Sequence, residues 1–166
     1  MKSLMAVLLV LAIYLPAQAG ERNEIKMYDK LQSYIEQSQE GFEAIPAERQ
    51  EKLKEQKLSA GEQVKLTFIC THNSRRSHLG QIWAQTAASA YGIDGINTYS
   101  GGTEATAFNP RAVAALERAG FEIIGDSSTD NPLYTVKMSE SSEPMKAFSK
   151  QYTDKSNPQE DFCAVM

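Results

Sequence analysis

The stretch Val64-Lys65-Leu66-Thr67-Phe68-Ile69 constrains the fold more than any other part of the chain. It is short, β-prone and apolar on both faces, which suits a strand in the middle of a parallel sheet and not an edge strand wetted on one side. It runs into Cys70. After a polar loop, Leu79, Ile82, Trp83, Ala87 and Ala90 recur at helical spacing as far as Tyr91, and Gly92 stops the helix. Trp83 on that face reads as core packing. A second strand is expected at about Ile96 to Ser100, ending in Gly101-Gly102-Thr103. Asn109-Pro110 then opens a helix with an N-cap residue and a proline in its first turn, running through Val113 and Leu116 to Gly120. Strands alternating with helices predict an α/β fold with a three-layer, doubly wound parallel sheet, and such sheets bind ligands at the carboxyl ends of their strands. Cys70 lies at such an end.

The remainder is less regular. Phe121-Glu122-Ile123-Ile124 is a short apolar run, and the Ser-, Asp-, Asn- and Pro-rich stretch 125–158 predicts loops with a strand-like piece at Leu133 to Met138 and a short helix near Met145. Phe162 to Met166 is apolar and strand-like. Upstream, a helical arm is expected over 25–60, with Met27, Leu31, Tyr34 and Ile35 on one face. Gly41 to Pro46 breaks it into two helices, the second restarting at Pro46, and the pair is expected to pack as an amphipathic hairpin onto the domain at 64–166. The first 19 residues differ again. Lys2, the apolar run Leu4 to Leu15 and Pro16-Ala17-Gln18-Ala19 predict a signal peptide cleaved after Ala19, hence an exported or periplasmic protein with no membrane segment once it is removed. Translation from Met27 would instead leave the chain in the cytoplasm, a reducing compartment that suits a reactive thiolate.

The formal net charge is -4 and no block of Lys or Arg stands out, so neither nucleic acid nor an anionic membrane surface is an expected partner. Cys70 and Cys163 are the only cysteines, His72 and His78 the only histidines. That excludes a disulfide framework and gives no ligand set for a metal; no cofactor is expected.

The chemistry concentrates in Cys70-Thr71-His72-Asn73-Ser74-Arg75-Arg76-Ser77. A helix N-terminus offers unpaired N–H groups and partial positive charge, which bind anions. A cysteine there has its thiolate stabilised by the same field. Arg76, in the helix's first turn, can hold two oxygens of a tetrahedral anion with its planar fork. Ser77 can donate its hydroxyl to the thiolate, and Asn73 tolerates a left-handed backbone while hydrogen-bonding the loop. Arg75 reads as a rim charge, and His78 as a packing or surface residue with no part in activating the thiol. Thr71, His72, Asn73, Ser74 and Arg75 are the candidate oxyanion-binding loop; Cys70, Arg76 and Ser77 are the candidate catalytic residues.

With Cys70, Arg76 and Ser77 as C-x5-R-S and Asn73 as its loop asparagine, the segment resembles the signature of the low-molecular-weight protein tyrosine phosphatase superfamily, which also contains the thioredoxin-coupled arsenate reductases. Ser100-Gly101-Gly102-Thr103 is similar to its second-strand element, and Asn109-Pro110-Arg111-Ala112 with Leu116 and Gly120 to its second helix. The resemblance covers about 64–166. It implies a phosphocysteine intermediate on Cys70, with Arg76 and the loop amides stabilising the transition state. In the reductase branch it implies an arsenate adduct on the same sulfur and a thiol reductant. Phosphate, arsenate or phosphotyrosine are the implied substrates. The family's general acid, an aspartate beyond the third main strand, has no match; Asp154 and Asp161 precede that strand. Cys163, at the strand's start, does not match the reductases' relay cysteines, which follow it. The resemblance therefore implies a chain cut short at its C-terminus, marginally stable and weakly active or inactive.

Three functions stay open at this point. The first is a phosphomonoesterase of the tyrosine phosphatase type. The second is an arsenate reductase using the same cysteine. The third is no enzyme: an inactive oxyanion-binding fragment, or an exported domain in which Cys70 and Cys163 form a disulfide.

Overall fold

In a computed structural model of the protein, residues 26–39, 63–125 and 128–166 are described. The predicted signal segment 1–19 and the predicted second helix from Pro46 lie outside these residues. Among the described residues no helix is long and apolar enough to cross a membrane.

The buried run Val64–Cys70 forms β1, and the helical pattern after it forms α2, Arg76–Ala90, one turn longer at its start than the apolar spacing alone indicates. Ahead of both, Asp29–Gln39 forms α1. Strand β2 follows at Ile96–Gly102 and helix α3 at Pro110–Ala119. The local chemistry of α3 is as the sequence predicts: the Asn109 side chain accepts from the Arg111 N–H at 3.0 Å, and Gly120, at φ 111°, ends the helix. The later strands are β3 Glu122–Gly125, β4 Tyr134–Lys137, β5 Met145–Ala147 and β6 Cys163–Val165.

Sheet A has the order β2-β1-β6 and is parallel throughout, so β1 is central as its two apolar faces require. The register runs from Val64 opposite Ile96 to Cys70 opposite Gly102, which brings the carboxyl ends of β1 and β2 side by side. Helix α2 lies on one face. Gly80 makes this close approach possible, because a Cβ there would sit 2.6 Å from the Phe68 ring. Behind it, Ala84, Ala87 and Ala88 pack with Phe68, Ile93 and Ile96. On the opposite face Gly101 meets the backbone of Tyr152, so the turn 151–154 rests directly on β2.

A second sheet was not anticipated. Strands β3, β4 and β5 form an antiparallel meander, with Ile123 opposite Val136 and Val136 opposite Met145. The helix expected near Met145 is therefore corrected to a strand. Three residues that alternate half-buried, exposed and buried cannot nucleate a helix, but they can pair with the open edge of β4 and bury Ala147.

The larger core joins this meander to the helices. Met27, Leu31 and Ile35 of the N-terminal arm pack with Ile82, Trp83, Phe108, Leu116, Phe121 and Val136. Trp83 lies between Tyr34, stacked at 5.1 Å, and Phe121, edge-on at 5.1 Å, a packing role in agreement with its helical spacing. Leu31 sits against Gly120, whose absent side chain leaves room for the α1 backbone.

One consequence is directly measurable. A Cβ at Gly101 would lie 2.3 Å from the Tyr152 Cα, and backbone does not yield as a flexible side chain does. Gly101→Ala is expected to cost about 2 kcal/mol or more, roughly 5 °C in Tm by thermal unfolding.

Candidate active site

The loop after β1 is shaped from outside. The Thr103 N–H donates to the Cys70 carbonyl at 3.1 Å, and the Glu104 N–H to the Thr71 carbonyl at 2.8 Å. The Thr103 hydroxyl reaches the same Thr71 carbonyl at 3.1 Å. The His72 carbonyl accepts from the Ser149 hydroxyl at 2.9 Å and the Thr106 hydroxyl at 3.1 Å, and the Ser74 carbonyl from the Asn109 N–H at 2.8 Å. A planar trans peptide points its N–H opposite to its C=O. With these carbonyls held outward, the following amides turn away from the donors and into the loop.

Asn73 ties the loop to its support. Its φ is +42°, in the left-handed region that asparagine tolerates, and its side chain is fully buried. Its Oδ1 accepts from the Lys150 N–H at 2.9 Å, and its Nδ2 donates to the Ser77 Oγ at 2.8 Å. The Ser77 Oγ is 3.0 Å from the Cys70 Sγ. With the asparagine amide donating to its oxygen, the Ser77 hydroxyl proton is free to be donated to a Cys70 thiolate. Burial pushes the Cys70 thiol up. Against it, the Ser77 hydroxyl and the backbone amides of Ser77, Ser74 and Asn73 pull it down, and the outcome is a thiol below its ordinary value.

Arg76 opens α2. No side chain caps this helix, and Arg75 precedes it without closing the first turn. The Arg76 side chain is exposed and makes no ion pair among the described residues. With Cys70, Ser77, Phe68 and Leu79 it lines a cavity of about 310 Å³. Thr71, His72 and Arg75 are exposed and Ser74 is half-buried, and none of the four lines this cavity. The His72 Nε2 is 3.4 Å from the Glu104 carboxylate.

His78 is a packing residue, fully buried and stacked on Phe108 at 4.1 Å. Its Nδ1 lies 3.2 Å from the Ser100 hydroxyl. Burial first, then the Lys150 ammonium, push it down to about 3, against a smaller pull from the Asn73 backbone. It is neutral at ordinary pH and no proton carrier for Cys70.

Sequence reasoning missed the residues that hold the loop: Thr103, Thr106, Ser149, Lys150 and Asn157. Asn157 donates to the carbonyls of Ser100 and Tyr152, both at 3.1 Å, and so fixes the turn that carries Lys150. The only signal available was the density of Ser, Asn and Asp over 149–157, which reads as loop.

Two alternatives can be weighed by distance. Cys163 stands opposite Leu66, four residues before Cys70 on the neighbouring strand, about 13 Å away along the strand direction. A disulfide needs Cα atoms within about 7 Å, so the paired-cysteine reading is corrected: both thiols are free. Among the described residues no three His, Cys, Asp or Glu side chains gather as a metal site.

The arrangement is that of an α/β protein whose central parallel strand ends in a cysteine beside backbone amides at a helix start. Residues 65–139 match the family described as low molecular weight phosphotyrosine protein phosphatase. That stretch resembles the superfamily that also holds the arsenate reductases. It is 41% identical over 61 residues to an arsenate reductase of Bacillus licheniformis, covering 37% of this chain and 41% of that protein. An arsenate reductase of Staphylococcus aureus strain Newman and arsenate reductase 2 of Staphylococcus haemolyticus are each 38% identical over 61 residues, covering 37% of this chain and 44% of theirs. The match thus spans about two fifths of the length of these relatives. No solved structure matches.

Two measurements test the electrostatics. Ser77→Ala removes the strongest donor to sulfur and is expected to raise the pH midpoint of Cys70 alkylation. For His78, the unfolded chain binds a proton near pH 6.5 and the folded chain only near 3. Its contribution to stability is therefore intact above 6.5 and lost as the pH falls toward 3, at up to ~1.4 kcal/mol per unit. His78→Gln is expected to flatten this part of the stability-against-pH curve in chemical unfolding.

Proposed function

We propose that this chain is a cysteine-dependent phosphomonoesterase of the tyrosine phosphatase type. The observation that carries the reading is the lowered Cys70 thiol, with donated hydrogen bonds from Ser77 and three loop amides, beside an Arg76 without an ion-pair partner among the described residues. In the proposed reaction the Cys70 thiolate attacks phosphorus. An S–P bond forms as the P–O bond to the aryl oxide breaks, and the departing oxygen takes a proton from solvent. Charge building on the equatorial oxygens is met by the loop amides and the guanidinium. Water then attacks the phosphocysteine, releasing phosphate and returning the thiolate. No redox partner is needed.

Arsenate reduction is the second reading, favoured by the arsenate reductases among the relatives. Arsenate would add to the same sulfur with loss of hydroxide. A thiol attacking that sulfur would form a disulfide and send two electrons to arsenic, releasing arsenite. Cys163 lies some 13 Å from Cys70 along the strand direction, so this second sulfur would come from elsewhere, such as an added thiol.

Purified full chain assayed with p-nitrophenyl phosphate, and separately with arsenate plus dithiothreitol, separates the two. The phosphatase reading expects phosphate release that Cys70→Ser abolishes, with a phosphocysteine trapped at low pH. Arsenite formation without phosphate release would replace it with the second reading.

A further inference from the structure

A second polar cavity lies at the same edge of sheet A. It has a volume of about 350 Å³ and is lined by Ala105, Phe148, Lys150, Gln151, Thr153 and Asp154. Its place follows from the strand pairing. Gln151 bridges to Gly102, and Gly102 is the register partner of Cys70, so the cavity stands two strand spacings, about 10 Å, from the nucleophile. Its wall at Ala105 belongs to the segment that crosses the loop, where Glu104 and Thr106 bond the carbonyls of Thr71 and His72.

The unusual member is Lys150. Only 6% of it is exposed, and its ammonium sits 4.6 Å from the centroid of the Phe148 ring. Among the described residues no carboxylate lies within ion-pair distance of it. Asp154 acts on it at longer range, and the Asp154 carboxylate is already engaged by the Ser156 N–H at 2.9 Å and hydroxyl at 2.7 Å. A buried ammonium with one π face and no paired anion is costly, and an anion entering the cavity would offset that cost. Gln151 and Thr153 add neutral donors around the same space. With Asp154 in the wall, the site favours a single negative charge over a dianionic second phosphoryl group.

We propose that this cavity is a subsite for a carboxylate carried by a phosphotyrosyl peptide, with Lys150 as its counter-charge. It rests on the phosphatase reading of Cys70. An extended peptide advances about 3.3 to 3.6 Å per residue, so a reach of this size places the acidic residue within two or three positions of the phosphotyrosine.

The test compares two phosphotyrosyl peptide sets, identical except for Glu or Gln at the second position on either side, with the full chain and with Lys150→Met and Lys150→Arg. The readout is the ratio of kcat/KM for Glu over Gln within each variant, so a change in basal turnover cancels. Lys150→Met keeps the backbone N–H that Asn73 needs, and thermal unfolding checks its fold. The native chain is expected to prefer Glu about fivefold, through KM. That preference should vanish in Lys150→Met and persist in Lys150→Arg. A ratio of one in the native chain, or a ratio that survives Lys150→Met, overturns the subsite. Phosphonate analogues of the same peptides, titrated by calorimetry, read the subsite without turnover. A Glu preference in binding with no hydrolysis would overturn the phosphatase reading alone, and equal binding would overturn the subsite.

Discussion

Everything around Cys70 depends on carbonyl groups that face away from it. A strand that stops and a helix that starts leave several peptides free to turn either way, and an isolated loop of this composition has no reason to point its amides inward. Here the outer surface is crowded with donors from the segment 103–109 and from Ser149, which take the carbonyls of Cys70, Thr71, His72 and Ser74. The inward field that lowers the Cys70 thiol is the other side of those bonds. Asn73 completes the arrangement, because one buried side chain receives from the support and donates to the serine that touches sulfur.

How much of this could be read from the chain is a question of range. Strand β1, helix α2, strand β2 and helix α3 carry their signals within a few residues: an apolar run, a helical repeat, an Asn-Pro start, a Gly stop. Their placement followed, and so did the position of Cys70. The order of the candidate site residues was also local, since C-x5-R-S lies within eight residues. What was illegible was non-local. Ser149 and Lys150 reach the loop from 77 residues downstream, and nothing in Phe148-Ser149-Lys150 announces a partner. The meander β3-β4-β5 failed for a related reason. Its strands are three or four residues long, too short for periodicity to separate strand from helix, and only the edge of β4 decides the matter for Met145–Ala147.

The two histidines show how far position outweighs residue type. His72 and His78 are six residues apart, yet one is exposed beside Glu104 and the other is buried against Phe108. Burial and the Lys150 charge keep His78 neutral, so it serves as a shape that fills space behind the loop. Its neutrality also removes a second positive charge from the neighbourhood of Lys150, which would otherwise repel it.

The separation in sequence between the loop and its supports also sets an order of events as the chain folds. Donors from 32, 34 and 77 residues away can arrive only after loops of that length have closed, so the inward-facing cup is completed late. Until then Cys70 is an ordinary protonated thiol at the end of a strand. The lowering of its thiol therefore waits on the last long-range contacts to form.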